Sequence, residues 1–258
     1  MQRLRRTLSW ACLLGALLTA CAGEDPDAEL EVVEAEQAII NGNEGNDPKA
    51  MGAVYILHGV GPKTTCSGIL LRNRVVLTAR HCVTKDHSAT GIVDGDMTNY
   101  SVYLADIRYT VRSATANPNN FDLAILILTQ PVVLNGSSSA WRMPIYPGTN
   151  GSLKNVGVVC GGYGSSTLFT GAGVYRVAQI PVFHATTNNL YLQPNGSGQI
   201  PWQGDSGGGC IHAYNGALHL VGIMTNARLN PEQTGVRDAT LVGAPAFKAW
   251  ADWVASRN

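Results

Sequence analysis

Residues 204–209 read Gly204-Asp205-Ser206-Gly207-Gly208-Gly209, a hydroxyl next to a carboxylate among four glycines. Glycine has no Cβ and so admits backbone conformations that other side chains block. A chain bent in that way can expose the Ser206 hydroxyl while successive N–H groups turn toward one point, and such a concavity stabilises an oxyanion. A glycine-rich turn linking two strands accounts for the same six residues equally well. The segment acquires meaning only from what accompanies it.

Two other segments supply what an exposed serine would need. Val76-Leu77-Thr78-Ala79-Arg80-His81-Cys82 closes an apolar, strand-like run with an imidazole beside a cysteine. Phe121-Asp122-Leu123-Ala124-Ile125-Leu126 places one acid at the head of a very apolar run. A carboxylate there is costly unless something hydrogen-bonds to it, and His81 is the obvious candidate. A neutral serine hydroxyl is a poor nucleophile, so a base must take its proton during attack and later return it to the leaving amine.

In the same chain order, these three segments resemble the TAAHC, DIAL and GDSGGP signatures of the trypsin/chymotrypsin family. The resemblance extends over about residues 39–258. It implies an all-β fold of two six-stranded antiparallel Greek-key β-barrels with a C-terminal α-helix. It also implies a serine endopeptidase that cuts protein or peptide substrates through an acyl-enzyme, works without cofactor or metal, and acts as a monomer. In the general triad scheme of such enzymes, Ser206 is the nucleophile, His81 the general base and Asp122 the acid that orients it. The N–H groups of Gly204 and Ser206 fall on the oxyanion hole. Separations of 41 and 84 residues along the chain suit groups set on both sides of a cleft between two barrels.

Further expectations come with the resemblance. Ile39-Ile40-Asn41-Gly42 is similar to the family's IVGG start, which implies cleavage after Ala38 and pairing of the freed Ile39 ammonium with Asp205. Ala38 replaces the usual basic residue before that bond. By alignment, Ile200 falls near the base of the primary specificity pocket, with Trp202 at the cleft, Thr225-Asn226-Ala227 along one wall and Gly235 opposite. No acid stands at the base, and a buried cation needs a paired anion. Small or medium apolar side chains are therefore expected before the cut bond, not Arg or Lys. Arg80 stands where the family has a small residue, Gly209 where it has Pro, and Trp202 where it has the cysteine that braces the pocket.

Six cysteines are present. Cys12 and Cys21 lie in the N-terminal leader, which leaves Cys66, Cys82, Cys160 and Cys210, an even set open to three pairings. Zinc is the competing use of such a set, but no paired C-x-x-C spacing supports it. The resemblance implies Cys66–Cys82 beneath His81. It also implies Cys160–Cys210, because both residues are displaced from the family positions by two residues in opposite directions, which preserves antiparallel register and face.

Arg3, Arg5 and Arg6 precede an apolar run from Leu8 to Leu18, too short to favour a spanning helix and typical of an export signal. It ends Leu18-Thr19-Ala20-Cys21, similar to a bacterial lipobox. Residues 1–20 are thus expected to be a lipoprotein-type signal with Cys21 lipidated; an ordinary signal peptide cut nearby is the alternative. The product would be a cell-surface lipoprotein before processing and a secreted protein after it. Residues 21–38 hold seven acids, no Lys or Arg and little apolar material, as a flexible tether would. Residues 39–258 form the expected protease domain.

The remaining composition fits many short strands. With 45% hydrophobic residues, 29 Gly and 12 Pro, the 258-residue chain has material for one large core broken by tight turns. Strand-like runs include Ala53–Leu57, Arg74–Thr78, Asp122–Leu128 and Leu218–Thr225, and only Pro245–Val254 has a helical spacing of apolar residues. A formal net charge of zero gives no argument for a nucleic-acid partner. Two rival classes stay open at this point: a non-catalytic binding protein on the same scaffold, and a structural surface lipoprotein.

Overall fold

The computed structural model describes residues 39–258 except 45–46, 61–62, 134–141, 169 and 171. The expected signal segment 1–20, Cys21 and the tether to residue 38 lie outside the described residues. In chain order the elements are β1 (Asn43–Glu44), α1 (Pro48–Met51), β2 (Ala53–His58), β3 (Thr64–Arg72), β4 (Val75–Thr78), β5 (Tyr100–Leu104), β6 (Ile107–Tyr109), β7 (Val111–Ala116) and β8 (Ala124–Leu128). There follow β9 (Gly157–Gly162), β10 (Arg176–Ala185), β11 (Asn189–Leu192), β12 (Gly209–Tyr214), β13 (Ala217–Leu229), β14 (Val236–Gly243) and α2 (Ala244–Ser256).

The strands form two antiparallel sheets. The C-terminal one runs β10-β11-β14-β13-β12-β9 and closes on itself, because β9 pairs with both β12 and β10; β1 adds to its edge. That is the six-stranded barrel expected. The N-terminal sheet, ordered β6-β5-β2-β3-β4-β8-β7, differs from expectation. It curls, but no ladder closes it among the described residues: its two edges, β6 and β7, are successive pieces of one segment interrupted at Thr110. That segment splits its hydrogen bonds between two partners: β6 bonds β5 while β7 bonds β8.

Side-chain alternation explains why the central strands of the N-terminal sheet read as continuous apolar runs. Successive residues of a strand point to opposite faces. Leu70, Val76 and Leu126 face the core inside that sheet, whereas Ile69, Leu77 and Ile125 join the larger core shared with the C-terminal barrel. β4 and β8 are thus buried on both faces along their whole length, and apolar residues at every position follow. Fully burying one such side chain is worth about 1.5–3 kcal/mol.

α2 begins with Pro245 in its first turn, where the missing N–H costs nothing. It buries Phe247, Ala251, Val254 and Ala255, the stripe expected from a 3.6-residue period. No helix among the described residues is long and apolar enough to cross a membrane.

Candidate active site

Strand pairing brings His81 and Asp122 together. β4 and β8 are antiparallel, with Thr78 opposite Ala124. The chain leaving β4 therefore passes the chain entering β8. His81 lies in a single 3-10 turn, Arg80–Cys82, just beyond β4. Its ring Nδ1 lies 2.7 Å from Asp122 Oδ2, and its backbone N–H donates to Asp122 Oδ1 at 2.9 Å. Two bonds fix both the carboxylate and the ring, and a carboxylate on Nδ1 favours the tautomer with its proton there, leaving Nε2 as the base. The Cys66–Cys82 disulfide anchors the same turn to β3.

Ser206 comes from the other sheet, in the loop ahead of β12. The Ser67 N–H of β3 donates to Ser206 O at 2.8 Å and ties the loop across to the first sheet. Ser206, His81 and Asp122 all border a cleft of about 680 Å³, and a second hollow of about 400 Å³ is lined by His81, Gly204 and Ser206 among others. Among the described residues no hydrogen bond joins the Ser206 hydroxyl to His81. Such bonds often tighten only when substrate is bound.

Backbone bonding in the loop selects which N–H groups remain available. Asp205 N–H donates to Trp202 O, Gly207 N–H to Met224 O and Gly208 N–H to Asp205 O. The N–H groups of Gln203, Gly204 and Ser206 have no acceptor among the described residues. Glycine is required at two positions. Gly204 has φ +90° and Gly207 φ +86°, and a Cβ on Gly207 would lie 2.1 Å from Thr78 Oγ1 and 2.2 Å from Ser67 O.

Asp205 is fully buried. Its carboxylate accepts the N–H groups of Gly164 at 2.8 Å and Trp202 at 2.9 Å, and that of Ile39 as well. Burial outweighs these three bonds and pushes the carboxyl up to about 7 from an ordinary 3.8. Ile39, itself fully buried, is thus already at Asp205, with Ile40 N–H bonded to Ile200 O at 3.1 Å.

A profile of the trypsin family matches residues 39–251. The chain belongs to the trypsin family. Its fold is chymotrypsin-like, and the family is one of serine proteases. A curated relative, the proclotting enzyme of Tachypleus tridentatus, is 26% identical over 209 residues, which are 68% of this chain and 55% of its own length. The chain spans about half the length of that relative.

In this trypsin-family domain both disulfides pair as expected, Cys66 with Cys82 and Cys160 with Cys210. Cys160 and Cys210 stand directly opposite each other in the β9–β12 ladder. Cys66, His81 and Cys82 form the one three-residue group of metal-ligating type among the described residues, but its sulfurs are joined in a disulfide and offer no thiolate.

The pocket walls differ in part from expectation. Trp202 and Thr225-Asn226-Ala227 line the cleft. Ile200 does not: it is buried and pairs with Ile40 beneath the site. Gly235 does not either, because β13 continues to Leu229 and Gly235 closes the turn by accepting the Asn230 N–H at 2.8 Å. The ladder then sets Asn226 against Thr240, so Thr240 and Val242 of β14 form that wall, with Asn189 beside Val242. The only sequence signal for β14 is the alternation Val236, Asp238, Thr240, Val242, too polar to stand out. Where the family's bracing disulfide is missing, the Trp202 indole N–H donates to Leu168 O at 3.0 Å and ties down the same loop.

Proposed function

We propose that this chain is an active serine endopeptidase. The observation that carries the reading is the meeting of a doubly bonded His81–Asp122 pair with a partly exposed Ser206 at one cleft, in a loop where the Gly204 and Ser206 N–H groups have no acceptor among the described residues. In the reaction, His81 Nε2 takes the Ser206 proton as Oγ attacks the scissile carbonyl. The imidazolium is held by Asp122, and the oxygen that becomes negative receives the N–H groups of Gly204 and Ser206. His81 then hands its proton to the leaving amine, which departs and leaves an acyl group on Ser206. Water then attacks the acyl carbon and gives a proton to His81, which passes it to Ser206 Oγ as the ester C–O bond breaks, releasing the acid and restoring the serine.

The reading extends to activation by cleavage between Ala38 and Ile39. Two features support it. Asp205 is a buried carboxyl with no cation beside it among the described residues, and Ile39 has φ +53°, a strained conformation for a β-branched residue held in a continuous chain. Cutting the bond relieves that strain and puts an ammonium where an amide N–H now meets Asp205. Export, lipidation at Cys21 and release by the same cut complete the proposal. Ala227, Thr240 and Val242 line the cleft, whose two acids are Asp122, bonded to His81, and the fully buried Asp205, so that small or medium apolar residues rather than Arg or Lys are favoured before the cut bond.

Kinetics on peptide substrates test the core of this reading. Ser206→Ala and His81→Ala should nearly abolish hydrolysis, and Asp122→Asn should lower turnover by roughly 10⁴-fold through the wrong tautomer. A Ser206→Ala protein with more than about a tenth of wild-type turnover refutes it, since loss of a nucleophile costs orders of magnitude.

A further inference from the structure

Ser67 occupies a position in β3 where one small side chain meets both halves of the site. It is 1% exposed. Its hydroxyl donates to Gly204 O at 2.9 Å and accepts the Tyr163 N–H at 2.8 Å. Its backbone N–H donates to Ser206 O at 2.8 Å, and its carbonyl accepts the Thr78 hydroxyl at 2.8 Å. The two residues whose carbonyls Ser67 holds are the two whose N–H groups the proposed reaction uses, and neither N–H has an acceptor among the described residues. Tyr163 is also the neighbour of Gly164, whose N–H binds Asp205.

We infer that the Ser67 hydroxyl is a positioning element for the oxyanion hole: it holds the oxygen of the Gly204–Asp205 peptide, the one unit that links the peptides carrying the Gly204 and Ser206 N–H groups. The physical need is specific. Gly204 sits at φ +90° without a side chain, so the peptides on its two sides are held only by their hydrogen bonds: Ser165 N–H to Gln203 O at 2.6 Å before it, and Asp205 N–H to Trp202 O at 3.0 Å after it. The Ser67 hydroxyl holds the oxygen end of the second of these peptides, and a buried hydroxyl with both donor and acceptor satisfied has no alternative orientation. The backbone bond to Ser206 O is available to any residue at position 67. Only the side chain makes the bond to Gly204 O, so different parts of one residue hold the peptides that follow Gly204 and Ser206. Ser67 touches no reacting atom; it acts through Gly204.

This inference rests on the endopeptidase reading, and its test separates the two. Wild type, Ser67→Ala, Ser67→Gly and Ser67→Thr are compared for kcat, KM and thermal midpoint. Binding is followed with a peptidyl trifluoromethyl ketone, whose adduct on Ser206 places an oxyanion in the hole, and with an uncleavable peptide of the same sequence. Ser67→Ala should lower kcat roughly 10-fold, less than outright loss of an oxyanion donor, with KM unchanged. Ketone affinity should fall by a comparable factor while affinity for the uncleavable peptide stays. Ser67→Thr, which retains the hydroxyl, should recover most of the loss. Ser67→Gly, which adds no atom to the buried space, should repeat the Ala result if Ala fails to fold. Unchanged kcat and ketone affinity in both deletion variants, or a fall in thermal midpoint alone, overturns the role of Ser67 and leaves the hydrolase intact. A wild-type protein that neither cleaves peptide nor takes the ketone overturns both.

Discussion

Cleavage before Ile39 should change how the stability of the domain depends on pH, and the size of the change follows from Asp205. Its carboxyl is raised from 3.8 to about 7 in the uncut chain because burial disfavours the charge more than the N–H groups of Trp202, Gly164 and Ile39 favour it. A raised acid binds its proton more tightly in the native state than in the unfolded one. Stability from this group is therefore intact below pH 4 and falls as pH rises, until the native carboxyl ionises near 7. A shift of about three pK units corresponds to roughly 4 kcal/mol in total, of which about 2 kcal/mol is lost between pH 5 and pH 7. After cleavage the Ile39 ammonium stands beside the carboxylate, favours the ionised form and removes that loss. The freed amine, ordinarily near 7.7–8, is held protonated by its partner, so its contribution persists across the same window and fades only at higher pH. The buried His58, held below its ordinary value chiefly by burial, titrates alike in both forms and cancels in the difference. The assay uses Ser206→Ala protein, which cannot process itself, carrying a processing-protease site that ends at residue 38. Urea midpoints are measured at pH 5, 6 and 7 before and after cutting. The uncut protein should lose about 2 kcal/mol more than the cut protein over that range. Parallel curves, or a steeper loss in the cut form, refute the pairing of Ile39 with Asp205.

Three other outcomes follow from the geometry. Gly207→Ala should abolish activity and destabilise the domain by at least about 2–3 kcal/mol, since a Cβ there meets Thr78 and Ser67 at a φ that alanine disfavours; circular dichroism melts and peptide hydrolysis would show it. Leu126→Ala, in the wholly buried β8, should cost about 2–5 kcal/mol in urea unfolding without altering KM. Thr240→Gly should open the pocket wall and shift a peptide-library profile toward larger residues before the cut bond, whereas a library profile of the parent dominated by Arg or Lys would contradict the apolar preference.

The parts of this molecule that were legible in its sequence are those where chemistry is local or burial is complete. The segments around His81, Asp122 and Ser206 carry unusual residues in short frames, and β4 and β8 announce themselves because both faces are buried. The Cys160–Cys210 pairing could be anticipated because equal and opposite two-residue shifts conserve ladder register. What stayed hidden depends on partners far away in the chain. β14 reads Val236-Arg237-Asp238-Ala239-Thr240, and Asp238 is tolerated in a strand because Arg228 and Arg237 pair with it at 2.7 and 2.8 Å. Missing that strand misplaced the pocket wall on Gly235. The open edge of the N-terminal sheet turns on one interruption at Thr110, which no residue pattern marks. Ser67 looks like an ordinary serine after a cysteine until Gly204 and Tyr163, more than 90 residues away, close around its hydroxyl.

The central claim, that Ser206 is a nucleophile activated by His81, is tested most directly by treating the cleaved, folded protein with a fluorophosphonate and locating the adduct by mass spectrometry of its peptides. The account predicts one phosphonyl group, on Ser206, and none in His81→Ala protein of the same fold. Wild-type protein that remains unlabelled after cleavage before Ile39, or a label that persists at full rate in His81→Ala, would contradict it.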